Sequence, residues 1–176
     1  MILKIGIELY IIIGALALAF VILMIIIPAI KYNNAKKILQ KYPNFKECKN
    51  KLYDFTIEND ECKILIRLLD VPSNSMITIN SKDTWALQWG GSSSDLGRAY
   101  PNKKYLDEIK DFLKKEYVDE KKLYKIILVN KSTEKIVRYL NESELAVVSY
   151  KETVYGYKVF ELNKIEEQME YLGIKL

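Results

Sequence analysis

The sequence predicts an α/β (α+β) protein, with an N-terminal transmembrane helix followed by a small mixed-sheet domain. Three observations predict it. Residues 9–30 read LYIIIGALALAFVILMIIIPAI, 22 residues without a charge. Beyond them, short runs alternate apolar and polar residues with period two, the pattern of half-buried strands. Finally, residues 123–129 (LYKIILV) are nearly all apolar and follow an amphipathic stretch, as a covered central strand follows a helix.

The uncharged run extends from Leu9 to Ile30 and, at about 1.5 Å per residue, spans a hydrocarbon core of roughly 30 Å. A cleaved signal peptide would have a shorter apolar stretch, a basic start and a small-x-small cleavage site. Here only Lys4 precedes the run, and Glu8 offsets it. A helix in a protein core would show a polar face, and this one has none. Residues 1–30 are therefore read as an anchor in the lipid bilayer, with Pro28 tolerated near its end. Ala15 and Ala19 form a small-x-x-x-small pair, with Gly14 beside them, which would suit helix–helix self-association.

Flanking charge sets the expected orientation. Lys31, Lys36, Lys37, Lys41, Lys46 and Lys49 follow the run against the single acid Glu47 in residues 31–50. The positive-inside rule then puts the C-terminal domain in the cytoplasm and the short N-terminus outside. In that compartment the glycosylation patterns at Asn130 and Asn141 go unused, and Cys48 and Cys62 stay free thiols. Residues 31–52 are expected to continue the helix as a basic juxtamembrane segment that Pro43 ends or kinks. Its lysines are suited to anionic headgroups, at about 1 kcal/mol each near the surface.

Residues 53–176 form the expected domain. Tyr53, Phe55 and Ile57 alternate with polar residues, and 63–69 (KILIRLL) is a denser strand. The turn signal of residues 70–75 leads to a strand at 76–80. Thr84 to Trp89 alternates again, with Trp85, Leu87 and Trp89 on one face. These four strands are expected to form an antiparallel meander. Gly90-Gly91-Ser92-Ser93-Ser94 reads as a flexible loop, because its spacing is wrong for a phosphate-binding P-loop. Pro101 opens an expected amphipathic helix carrying Tyr105, Leu106, Ile109, Phe112 and Leu113 and ending near Tyr117. Further strands are expected at 135–140, 145–150 and 157–162, and Asn163 is expected to cap a last helix bearing Ile165, Met169 and Leu172.

Composition narrows the chemistry. The chain has no histidine, which excludes Ser-His-Asp and Cys-His nucleophile systems and His-ligated metals. With 27 basic and 23 acidic residues, the net charge of +4 is modest for a nucleic-acid binder. Cys48 and Cys62 lack a C-x-x-C spacing, and paired acids such as Asp60-Glu61 read as solvated turns.

Met76-Ile77-Thr78-Ile79-Asn80-Ser81-Lys82, with Trp85 and Trp89 downstream, resembles the motif strand of the nuclease-related (NERD-like) branch of the restriction-endonuclease-like superfamily. Tyr100-Pro101-Asn102-Lys103-Lys104 is similar to the stretch that opens the next helix in that branch. The resemblance covers roughly residues 53–165 and implies a restriction-endonuclease-like core. It also implies an ancestral Mg²⁺ site, where two carboxylates would hold the ion and lower the pKa of an attacking water. The chain departs from the pattern at the residues that matter most. Asn80 stands at the motif glutamate, Lys104 at the glutamine, and Arg67 near the upstream aspartate; only Lys82 is kept.

The expectation is thus a membrane-anchored, non-catalytic binding or scaffold module without a cofactor. Arg67, Asn80, Lys82 and Lys104 would line a degenerate basic cleft suited to phosphate, and a protein or nucleic acid would be the partner. Two alternatives stand beside it. One is a subunit of a membrane assembly held through its helix. The other is a Mg²⁺-dependent nuclease whose carboxylates have migrated to Asp70 and Asp83.

Overall fold

The computed structural model describes every residue except 1, 49, 51, 92–96, 102, 132, 142 and 143, and only the backbone of residues 2–9. It divides into two units, Met1–Lys37 and Ile38–Leu176.

The first unit belongs to one helix, α1 (Ile2–Leu39), which runs through Pro28 without a break in its assignment. Its apolar side chains from Tyr10 to Ile30 are exposed on every side, among them Ile22 at 43% and Leu16 at 66%. Within Tyr10–Leu39 an 18-residue segment reaches a mean hydropathy of 3.1, and this is, among the described residues, the one helix long and apolar enough to cross a membrane. A helix satisfies all its interior backbone groups within itself, so such a segment can enter lipid without leaving an amide unpaired.

The second unit is an α+β domain built on two mixed five-stranded sheets. Sheet A has the order β1 (Lys46–Glu47), β2 (Phe55–Glu58), β3 (Cys62–Leu69), β7 (Lys122–Val129) and β10 (Lys158–Glu161). Sheet B has the order β6 (Arg98–Ala99), β5 (Thr84–Trp89), β4 (Ser75–Ser81), β8 (Lys135–Tyr139) and β9 (Leu145–Val147). At the centre of each sheet two strands lie parallel, β3 with β7 and β4 with β8.

This pairing comes from two chain segments that leave sheet A and enter sheet B side by side. Leu69 is in register with Val129, and Met76 with Lys135. Between these points the amide of Asn130 donates to the Leu69 carbonyl and that of Glu134 to the Ser75 carbonyl, both at 2.9 Å. The crossing strands therefore keep a shared hydrogen-bond seam where isolated loops would expose backbone to solvent.

Between the sheets lies the main core: Leu65 and Leu69 of β3, Ile77 and Ile79 of β4, Trp85 and Leu87 of β5, and Ile127 and Val129 of β7. Strand alternation turns Ile64, Ile66, Ile126, Leu128 and Phe160 to the other face of sheet A, and all are fully buried. That face also has α3 (Ile165–Tyr171), whose Ile165 and Met169 are buried. Fully burying each such side chain stabilises the fold by about 1.5–3 kcal/mol.

The expected central strand at 123–129 is β7 without its first residue, flanked by β3 and β10. Three expectations need correction. The four early strands do not form one meander: β2–β3 and β4–β5 are antiparallel hairpins, but each lies in a different sheet. The turn at residues 70–74 is a crossing between layers, which a local turn signal does not distinguish from a hairpin. The amphipathic helix expected from Pro101 is reduced to a 3₁₀ turn, Asp107–Ile109, and α2 (Lys110–Lys114). Upstream, the amide of Leu87 donates to the Lys104 carbonyl at 2.8 Å and that of Leu106 to the Trp85 carbonyl at 3.0 Å. These bonds hold residues 104–106 against the edge of sheet B and override helix periodicity there. Leu106, Ile109, Phe112 and Leu113 are nonetheless buried as expected, whereas Tyr105 is 45% exposed. Finally, α3 has Lys164 at its N-cap with no side-chain cap bond, so Asn163 is not that cap.

The short α2 is held from outside. The buried Tyr157 hydroxyl donates its one proton toward the Leu113 carbonyl at 2.6 Å, with the Phe112 carbonyl 3.0 Å away sharing it, groups that a helix C-terminus leaves unpaired. Burial, then the nearby Tyr117 and Glu116, pushes the Tyr157 pKa up to about 12, so this donor keeps its proton through the physiological range.

Candidate functional site

The four residues of the expected cleft fall into three separate places. Arg67 points from β3 into the space between the layers, where its Nη1 lies 3.2 Å from Asp54 Oδ1 and its Nη2 donates to the Glu108 carbonyl at 3.0 Å. The other Asp54 oxygen accepts the Leu68 amide at 2.7 Å. Burial raises the Asp54 pKa; the Leu68 amide and the Arg67 charge pull against it. With side chains only 19% and 18% exposed, Arg67 and Asp54 form a structural pair that ties the start of β2 to the turn before α2. Arg67 is thereby occupied, and the tyrosine beside it, Tyr117, has its pKa pushed up to about 12 by burial and by Tyr53.

Asn80 and Lys82 lie at the far end of β4. Register between β4 and β5 shifts between Ile79 and Ser81, which leaves Asn80 at a bulge with an exposed side chain. Lys82 follows in the turn, also exposed. Its charge, after burial, lowers the pKa of Lys125, whose ammonium sits 4.5 Å from the centre of the Tyr157 ring.

Lys104 is elsewhere. Its carbonyl is in register with Leu87, two strands from β4, and its ammonium lies 5.0 Å from the Tyr105 ring centre. Relative to Asn80 it is offset by two strand spacings, about 9.5 Å, and by about three residues, roughly 10 Å, along the strands. The structure thus groups Asn80 with Lys82 and leaves Arg67 and Lys104 apart from them. Asn102, within the motif that carries Lys104, lies outside the described residues, as do Ser92, Ser93 and Ser94 of the glycine-serine loop.

Asp70 and Asp83 flank β4 at its opposite ends. Asp70 accepts from the Asn130 side chain at 3.3 Å, and Asp83 accepts from Ser81 at 3.2 Å and lies 3.6 Å from Lys114 Nζ. Burial raises the Asp83 pKa, but the Ser81 hydroxyl and Lys114 charge outweigh it and leave it below the ordinary value. The seven residues of β4 separate the two aspartates by roughly 20 Å, too far to share one ion. Among the described residues no group of three or more acids and cysteines gathers as a metal shell. Cys48 and Cys62 are free thiols, half-buried and buried.

A different site is assembled at the other end of β4. Trp89 is in register with Ser75 on one side, and the Glu134 amide donates to the Ser75 carbonyl on the other. Trp89 and Glu134 thus bracket the first residue of β4, two strand spacings or about 9.5 Å apart. Tyr100, whose amide donates to the Leu87 carbonyl at 2.9 Å, closes a third side. Together with Ser73, Asn74 and Pro101 they line an open cleft of about 580 Å³, within the range of small-ligand sites.

The rim of this cleft is fixed by backbone conformations that few residues adopt. Asn74 has φ +59° and Gly90 φ +66°. Gly97 has φ +71°, and a Cβ there would lie 2.4 Å from the Trp89 carbonyl, so only glycine lets the chain return so close to β5. Sequence reading found Trp89, as the outermost member of the Trp85, Leu87, Trp89 face. It had no means to find Glu134, which joins the site only through the crossing of β7 into β8.

No protein-family model matches the chain, and no curated protein or solved structure matches it either.

Proposed function

We propose that the protein is a single-pass membrane protein whose domain is a non-catalytic binding module at the cytoplasmic face. The observation that carries this reading is the helix itself. Its apolar side chains from Tyr10 to Ile30 are exposed, whereas the domain buries isoleucines and leucines such as Ile64, Ile66, Leu69 and Leu128 completely. The lysines that follow the apolar run favour retention of the domain on the cytoplasmic side. For the domain, the cleft between Trp89 and Glu134 supports binding, since its side-chain polar groups make no bond among the described residues.

The alternatives draw less from the geometry. The restriction-endonuclease-like reading rests on the resemblance of residues 76–82 and 100–104. A migrated Mg²⁺ site at Asp70 and Asp83 would need the two carboxylates on one ion. Self-association through α1 fits the open surface at Gly14, where an added Cβ would meet nothing within 4 Å.

Membrane insertion and orientation are testable together. The full chain should remain in the membrane pellet after alkaline carbonate extraction. In sealed inside-out vesicles, protease should remove the domain without detergent. Carbonate release would remove the anchor, and protection of the domain would reverse its side.

A further inference from the structure

We propose that the cleft at the start of β4 is a site for an organic cation, an alkylammonium or guanidinium group with an apolar body. The inference deepens the binding-module reading and rests on it, while being independent of the anchor.

The lining carries the argument. Trp89 continues the inward face of β5, where Trp85 is 2% exposed and Leu87 fully buried, yet Trp89 itself is 43% exposed. Its ring is therefore a hydrophobic surface that the fold leaves open at the mouth of a cavity. Tyr100, half-buried against the core, supplies a second ring, and Pro101 an apolar wall. Aromatic faces attract cations through their quadrupole, with tryptophan the strongest.

Charge points the same way. Among the described residues that line the cleft, Glu134 is the one acid, and no lysine or arginine is among them. Elsewhere the domain neutralises acids near its strands with cations: Glu58 with Lys121 at 2.7 Å, Asp119 with Lys63 at 2.6 Å, Glu108 with Lys103 at 2.7 Å. The Glu134 carboxylate has no such partner among the described residues, nor has the Trp89 indole N–H, the Tyr100 hydroxyl or the Asn74 amide. Its backbone is nevertheless fixed by the bond to Ser75, which places residue 134 about two strand spacings from residue 89. Two aromatic rings and a carboxylate, in a cleft with no lysine or arginine among its described lining residues, suit an ammonium or guanidinium group, with Arg98, the cross-strand neighbour of Trp89, lying outside that lining. An anion would meet Glu134 repulsively, and a neutral apolar ligand would leave it without an ion partner.

The test uses the full chain in a maltoside detergent, whose headgroup carries no cation. Tryptophan emission follows titration with choline, with arginine amide, with a short arginine-containing peptide, and with 3,3-dimethyl-1-butanol, the uncharged isostere of choline. We expect a saturable change in the emission of Trp89 with the cations and at least about tenfold weaker binding of the isostere. Glu134→Gln should weaken cation binding about tenfold and leave the isostere unaffected, and Trp89→Phe should abolish the signal change. Circular dichroism of both variants should match the wild type, because both side chains are exposed. Similar affinity for the peptide and the small amines would identify a free amine as the ligand; tighter binding of the peptide would identify a side chain of a partner protein. Equal binding of choline and its isostere, or no saturable change with any cation, would overturn the proposal.

Discussion

The apolar helix and the domain use the same residues in opposite ways. Ile22 in α1 is 43% exposed with like neighbours on every side, while Ile66 in β3 is completely buried between layers of one sheet and its cover. Each arrangement is stable only in its own solvent. In water, the exposed isoleucines of α1 would cost what the buried ones of β3 gain; in hydrocarbon, the helix needs no cover at all. Apolar content therefore says little about this protein until one asks whether the residues have somewhere to go.

The same substitution at the two places should break this comparison most clearly. Ile66→Asp puts an unpaired carboxylate in a closed core and should unfold the domain, a loss of several kcal/mol read as disappearance of the cooperative urea transition of Trp85 fluorescence. Ile22→Asp should leave that transition in place but weaken membrane retention by about 2.5–3.5 kcal/mol, read by carbonate extraction. If both changes acted on the domain alone, α1 would be part of its core.

A second contrast lies within the domain, between its occupied and its vacant carboxylates. Asp54→Ala should destabilise by about 3 kcal/mol, because it leaves Arg67 partly buried without its counter-charge. The double change Asp54→Ala with Arg67→Met should recover much of that loss in urea unfolding; no recovery would mean the pair's hydrogen bonds, not the stranded charge, hold the fold. By comparison Glu134→Gln should shift the unfolding midpoint little, since among the described residues no side chain pairs with its carboxylate.

Glycines sharpen the description of the cleft. Gly97→Ala meets both a positive φ and a backbone oxygen at 2.4 Å, and should cost about 2–3 kcal/mol and blunt the Trp89 response. Gly90→Ala has the same sign of φ but nothing within 4 Å, so it should cost about 1 kcal/mol. Equal costs would mean that the close approach at Gly97 does not shape the rim.

The smallest effect is a pH dependence at Lys125. Burial, then the Lys82 charge, lowers its pKa in the folded domain below the usual lysine value. Between the lowered folded pKa and the ordinary unfolded one, the unfolded chain holds more protons, so wild-type stability should rise with pH through that alkaline window. Lys125→Met lacks this gain, and its unfolding free energy relative to wild type should fall as pH rises. A constant difference would mean that Lys125 titrates as it does in the unfolded chain.

Legibility in the sequence followed the range of the interactions. The strands at 63–69, 76–80 and 84–89 are legible because apolar density and alternation are written in consecutive residues. The span of 101–117 was misjudged as one helix because the bonds between 104–106 and β5 compete with helix formation, and those partners lie outside any local window. For the site, Trp89 was visible on its face of β5, whereas Arg67, Asn80, Lys82 and Lys104 were gathered by a motif that the layers separate. Arg67 could not be recognised as occupied without Asp54 and the Glu108 carbonyl beside it.

What the sequence alone determined is the apolar span and the positions of most strands, since both depend on the hydrophobicity of neighbouring residues. The tertiary structure alone decided which sheet each strand joined. It also decided that Trp89 and Glu134 would face one cleft. That choice depends on the parallel crossing of two segments far apart in the chain, whose shared hydrogen-bond seam carries no signature in either segment by itself.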